Sequence, residues 1–197
     1  SLTINLQDSG FSFVTVVDEF RVIQENNRRL ALVNGRGKLN GQDFRLDGNF
    51  PTEATFNAEI AVGGTTSKIT GKSLRGTGGK EYEATLTTKI ASIGDLLEAA
   101  GLKRTTEGHG SLNADLKGTP GKHAVRNLEL NAEADDGRHL QISGEMENLF
   151  RFDGTNLALA VDFKPPMVIF QPKSKMFEVA LEQISANLTG NPESFLV

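Results

Sequence analysis

Three sets of residues have types and spacings that could do chemistry. The first is "TGKS", where Gly71-Lys72-Ser73 matches the end of a phosphate-cradling Walker loop. That loop needs an earlier glycine at the position held by Thr66, and a helix after the serine, and the sequence offers neither. The second set is the paired glycines Gly35-x-Gly37 and Gly108-x-Gly110. A dinucleotide fingerprint requires a preceding strand, a helix opening at the glycines and a third glycine in register, but strand-like sequence follows both pairs. The third set is His109, His123 and His139 with the acids of "VDEF" and "EADDG". No two histidines stand at a ligand spacing and no compact carboxylate cluster joins them, so they read as solvent-exposed histidines at turns. "EADDGRHLQISG" lacks the alternating oxygen ligands and closing Glu of a calcium loop.

The remaining nucleophile patterns are missing as well. There is no Gly-x-Ser-x-Gly elbow, and with no cysteine the chain has no thiolate, disulfide or zinc finger. The expectation is a protein without enzymatic activity, catalytic residue, metal or cofactor. Nucleic acid is not an expected partner either. The net charge is -4 and the cations are scattered, so no basic stripe exists to release counterions from phosphates. Aromatic usage points elsewhere: twelve Phe against one Tyr and no Trp suits a purely apolar interior, either a sealed core or a surface for acyl chains.

The elements that would position any site are strands. Alternation with period two runs through "GSLNADLKG", which sets Leu112, Ala114 and Leu116 on one face. "NLELNAEAD" sets Leu128, Leu130, Ala132 and Ala134 opposite Glu129, Asn131, Glu133 and Asp135. "RHLQISGEM" aligns Leu140, Ile142 and Met146, and "TNLALAVDF" aligns Leu157, Leu159, Val161 and Phe163. Upstream, Phe44, Leu46 and Phe50, then Phe56, Ala58, Ile60 and Val62, then Tyr82, Ala84, Leu86 and Ile90 repeat the pattern. The links "GGTT", "GTGG", "GTPG", "ADDG" and "FDGT" are turn formers. Many strands joined by short turns predict an antiparallel meander of roughly ten or more strands. Gly48, Gly71 and Gly144 inside strands are expected to mark bends or bulges.

One segment departs from this rhythm. In "ASIGDLLEAAGLKR", Ile93, Leu96, Leu97 and Ala100 have helical spacing. Ser92 is a fitting N-cap with Asp95 in the first turn, and Gly101 a fitting left-handed terminator with Leu102 after it. The spacing predicts a two-turn helix over residues 93–100 that gives its apolar stripe to the sheet. The chain is expected to form a single β-rich module, 1–197. The shared Gly-x-Gly-x-Leu-Asn at Gly35 and Gly108 would arise from two quasi-repeats, 1–91 and 92–197, or from coincidence. No window approaches the ~18 apolar residues of a membrane-spanning helix. Both ends, "SLTINL" and "PESFLV", are strand-like, and a piece of a longer protein with its targeting segment upstream is expected.

From Ile93 to Leu149 the chain resembles the repeat unit of the AsmA-like family of bacterial envelope proteins. The likeness rests on a short D-L-L-x-x-x-G-L helix (Asp95, Leu96, Leu97, Gly101, Leu102), then G-x-G-x-L-x-x-x-L-x-G (Gly108, Gly110, Leu112, Leu116, Gly118). Strands carrying Leu128 and Leu130, and Leu140, Ser143 and Gly144, complete it. The first ninety residues match only in style, and "KPPMVIFQPKSKM" matches nothing.

The resemblance implies an all-β fold, a curved antiparallel sheet forming an open, taco-like β-groove with one short helix. It further implies a periplasmic location, as part of a protein anchored in the inner membrane outside this stretch of chain. The function implied is movement of phospholipid between inner and outer membranes of a Gram-negative cell, without enzymatic chemistry, and with it outer-membrane biogenesis and homeostasis. Expected partners are phospholipid acyl chains and envelope proteins. The candidate lipid-lining residues are Leu112, Leu116, Leu128, Leu130, Leu140, Ile142, Leu157, Leu159, Val161 and Phe163. The rival reading is a structural or interaction β-sandwich that assists assembly of outer-membrane proteins.

Overall fold

The computed structural model describes residues 2–8, 11–24, 30–52, 54–74, 81–119, 122–149, 151, 153–170 and 179–190. The expected turn "GTGG" (76–79) and the closing "PESFLV" (192–197) lie outside the described residues. The strands are β1 (Leu2–Asp8), β2 (Phe11–Gln24), β3 (Leu30–Leu39), β4 (Gln42–Thr52), β5 (Thr55–Val62) and β6 (Thr65–Ser73). They continue with β7 (Tyr82–Ile90), β8 (Gly108–Thr119), β9 (Lys122–Ala134), β10 (Arg138–Met146), β11 (Thr155–Phe170) and β12 (Val179–Gly190). Helix α1 (Ile93–Ala99) interrupts the series between β7 and β8. All twelve strands lie in one sheet in sequence order, every neighbour antiparallel, and the sheet is curved and not closed.

Two tight turns show how local sequence fixes this meander. Asn40 and Gly41 join β3 to β4 with φ of 49° and 85°, and Gly63 and Gly64 join β5 to β6 with φ of 50° and 73°. Positive φ at both central residues is the requirement of a two-residue hairpin whose twist matches its strands. Such turns set the register, and the register sets the faces. Leu112 stands opposite Leu130, Leu130 opposite Ile142, Ile142 opposite Leu159 and Leu159 opposite Ala186, so one apolar row crosses five strands. Glu129, Asn131, Glu133 and Gln141, one residue out of phase, are exposed on the other face.

That second face carries cross-strand ion pairs between residues directly opposite one another. Lys68 meets Glu59 at 3.3 Å, and Glu83 lies between Lys72 at 3.8 Å and Lys117 at 3.5 Å. Such exposed pairs contribute little stability each. Opposite charges at facing positions do favour this register over a slipped one.

Seven register shifts interrupt the pairing among the described residues, and only one falls at a glycine expected to do so. Gly144 has a φ of 141° and sits at the shift between β9 and β10. Gly71 instead lies in regular pairing. A Cβ there would stand 2.4 Å from the Phe56 ring and 2.7 Å from Ala84, so the missing side chain makes room for a neighbour and not for a bend. Gly48 likewise sits in regular pairing, under the Phe50 ring. Between β8 and β9 the extra residue falls at Arg126-Asn127, where Asn127 adopts a φ of 49°. Asn enters that region more readily than most residues, and here its amide donates across the strand pair to Asp115 Oδ2 at 2.8 Å. In β11 the pairing with β12 shifts between Asp162 and Met167, across the cis Lys164–Pro165 bond and Pro166, in the segment that matched no pattern.

Candidate functional site

Helix α1 forms where its capping residues dictate. The Asp95 N–H donates to Ser92 Oγ at 3.0 Å. At the other end the Gly101 N–H donates to Glu98 O and the Leu102 N–H to Leu97 O, with Gly101 at a φ of 75°. This is the paired bonding of a Schellman terminus. The helix ends at Ala99 with Ala100 as its cap, one residue short of the expected 93–100.

The helix lies across one end of the sheet. Asn40 Nδ2 donates to Ala99 O at 2.9 Å while its Oδ1 accepts the Val14 N–H at 2.7 Å, tying α1 to the β3–β4 turn and to β2. Gln42 donates to Glu98 Oε2 at 2.7 Å. The β5–β6 turn abuts the helix so closely that a Cβ on Gly63 would stand 2.9 Å from Asp95 O. Arg104 then clasps Asp95 and Glu107, fixing the segment that returns to β8, and these carboxylates hold its guanidinium pKa further above its already high value.

Under this roof the apolar face opens into a cavity of about 700 Å³. Ile93, Leu96 and Leu97 close it from the helix side, and Leu112, Leu130, Leu140 and Val161 form the sheet side. Its volume falls in the range of small-molecule sites. The rest of the trough is different. Ala114, Val125, Leu128 and Met146 are buried as a cluster, with Leu86, Leu116, Ile142 and Leu157 packed against them. At the flanks the apolar face is open to water, with Phe20 61% exposed in β2, Ile60 38% exposed in β5 and Ile184 48% exposed in β12.

The ten residues singled out as lining therefore share one face but not one environment. Leu112, Leu130, Leu140 and Val161 border the cavity, and Leu112 packs against the buried cluster as well. Leu116, Leu128, Ile142 and Leu157 belong to the packed half. Leu159 and Phe163 are half-buried on the same face.

Several polar residues on this face escaped the sequence reading. Thr65, Ser67 and Thr88 line the cavity, and Ser67 Oγ and Thr88 Oγ1 share a hydrogen bond of 2.9 Å. Thr65 is 4% exposed and its Oγ1 has no hydrogen-bond partner among the described residues. Arg138 stands at the cavity's edge, opposite Phe163, with Asp136 at 2.7 Å. Its guanidinium holds the Asp136 carboxyl below the usual carboxylate range. Counting back two residues from Leu140 would have placed Arg138 on the apolar face.

The histidines are not at turns, contrary to the sequence reading, and they differ from one another. His109 in β8 is exposed, 3.9 Å from Glu133. His139 in β10 lies 3.6 Å from Asp162. His123 in β9 is half-buried, and its Nδ1 shares a hydrogen bond of 2.9 Å with Tyr82 Oη. Phe56 packs edge-on against Tyr82 with ring centroids 6.3 Å apart. Burial pushes the Tyr82 phenol pKa up. Among the described residues no three acidic or histidine side chains converge as a metal site, and no helix is long and apolar enough to cross a membrane. No known protein family, no curated protein and no solved structure matches the chain.

Proposed function

We propose that this chain is a non-enzymatic lipid-binding and lipid-conducting module of the AsmA-like kind, holding phospholipid acyl chains in its trough within the periplasm. The observation that carries the reading is an apolar face left partly uncovered. Large apolar side chains at its two flanks meet water, and an apolar cavity remains beneath α1. An apolar cavity open on one side, with apolar side chains around it meeting water, suits a site that another apolar body covers. An acyl chain suits it because recognition by area needs no catalytic group, and each methylene withdrawn from water contributes about 0.8 kcal/mol.

The rival reading, a structural or assembly-assisting domain, draws on the packed cluster around Leu128, where the trough is already filled by protein. A photo-crosslinking residue scanned along β9–β11 in a bacterial envelope separates the two. Lipid adducts from positions 130, 140 and 161, with none from the exposed positions 129 and 133, are the expected result. Adducts to protein alone, or adducts spread equally over both faces, would refute lipid binding.

A further inference from the structure

We propose that the cavity beneath α1 seats the ester end of one phospholipid acyl chain, with Thr65 Oγ1 donating its hydrogen to the ester carbonyl. The inference rests on the lipid-binding reading and assigns a polar contact to it. Three observations carry it. Thr65 begins β6 directly after the Gly63-Gly64 turn, opposite Ile90, so its side chain is fixed on the apolar face by the register. It is 4% exposed, and its hydroxyl has no hydrogen-bond partner among the described residues, whereas Ser67 and Thr88 beside it share a hydrogen bond. A buried hydroxyl without a partner costs stability, and one bordering a cavity is satisfied by an oxygen that enters it.

The surroundings choose which oxygen. Ile93, Leu96, Leu97, Leu112 and Leu130 offer the remainder of the ligand only apolar contact, as a hydrocarbon chain requires. A hydroxyl donor suits a neutral acceptor, and Arg138, the cation that lines the cavity among the described residues, is already bonded to Asp136 at 2.7 Å. An ester carbonyl adjoining an acyl chain matches both features. The chain supplies most of the attraction, and Thr65 confers a preference among lipids of equal apolar length.

Ether-linked phospholipids test this directly, because they share head group and chain length with ester-linked ones but lack the carbonyl. Binding of matched diacyl and dialkyl phosphatidylglycerol to the 197-residue chain should favour the diacyl form by roughly fivefold, the worth of one hydrogen bond. Thr65→Val should bind both equally and melt no lower than wild type, since it removes an unsatisfied group. Thr65→Ser, which keeps the hydroxyl, should retain the preference. Equal binding of the two lipids by wild type, or a preference surviving in Thr65→Val, would overturn the assignment while leaving lipid binding intact. A free fatty acid that displaces the diacyl lipid at equal concentration would reassign the hydroxyl to a carboxyl group and likewise overturn it. Failure of wild type to bind either phospholipid would instead remove the lipid-binding reading itself.

Discussion

Leu128 and Leu130 are two residues apart on β9, on the same face, and truncating each should have opposite consequences. Leu128 is 9% exposed and packs in the cluster with Ala114, Val125 and Met146. Leu128→Ala removes three carbons, about 2.4 kcal/mol of transfer free energy at ~0.8 per carbon. Its neighbours are held by strand pairing on both sides, so the hole collapses little, and the total comes to roughly 3 kcal/mol. For a chain of this length that lowers Tm by about 6–12 °C. Leu130 faces the cavity beneath α1. Leu130→Ala merely enlarges space that already exists, and should cost about 1 kcal/mol in stability. It should weaken lipid binding by roughly tenfold, since the acyl chain loses the contact that the protein core does not make. Denaturant unfolding at unchanged m-value and a lipid-binding isotherm on the same two variants give all four numbers. If both variants lost equal stability and equal affinity, the division of the trough into a filled half and an open half would be wrong.

Other perturbations test the elements around the cavity. Leu97→Asp puts a charge on the partly exposed underside of α1 and should cost about 2 kcal/mol; an unchanged Tm would show that the helix is not docked. Asn127→Val places a β-branched residue at a φ of 49° and removes the bond to Asp115, so a loss of about 2 kcal/mol is expected, while Asn127→Gly should cost much less. Tyr82 is the sole tyrosine in a chain without tryptophan, so ultraviolet titration reports it alone. Burial raises its folded-state pKa, so the titration midpoint should lie above the ordinary value of about 10. The associated stability is fully present below that ordinary value and is lost as pH rises through the folded pKa; a midpoint at the ordinary value would show the phenol to be solvated.

Strand faces and the helix were legible because each rests on local chemistry. Alternation alone fixed which side of β8–β11 meets water, and Ser92, Gly101 and the spacing of Ile93, Leu96 and Leu97 specified α1 to within a residue. What escaped depends on residues distant in sequence. "AVRNLEL" does not display the bulge at Arg126-Asn127, because a bulge is defined by the partner strand's count, here Asn113 to Asp115. Gly71 looks like a bend in sequence, yet the Phe56 ring that occupies its space comes from the strand before. The Gly-x-Gly-x-Leu-Asn pair is likewise split by context. Its first copy ends β3 in the Asn40-Gly41 turn, whereas its second opens β8 and runs on through it, so the two copies lie on strands of opposite direction. Thr65 and Arg138 were hidden by a simpler rule: a reader looking for apolar faces skips the polar residues that fall in phase with them.

The cavity's position follows from side-chain volume along the strands. In this meander each strand packs against its sequence neighbours within the sheet, and no second sheet covers the apolar face among the described residues. The trough is therefore filled or empty according to what each row of inward residues carries. Around Ala114 the row includes Leu86, Leu128, Val125 and Met146, and their summed bulk closes the space. Toward the helix end β8 and β9 contribute Gly110, Ala132 and Ala134, with Gly110 opposite Ala132 and Gly108 opposite Ala134. A Cβ on Gly110 would stand 2.5 Å from Asn131 O, and one on Gly108 2.1 Å from Glu133 O. Close backbone approach thus requires glycine at both positions, and those rows can supply no bulk from β8. The chain leaves the sheet to form α1 between β7 and β8, and the helix lies over the half where the strands leave a void. Ile93, Leu96 and Leu97 cover that void without filling it, which leaves a cavity of about 700 Å³ bounded by protein on two sides. A sealed core would place large side chains on β8 and β9 as well; the small Gly110 and Ala132 between Ile90 and Leu140, beneath an apolar roof, leave room for a ligand.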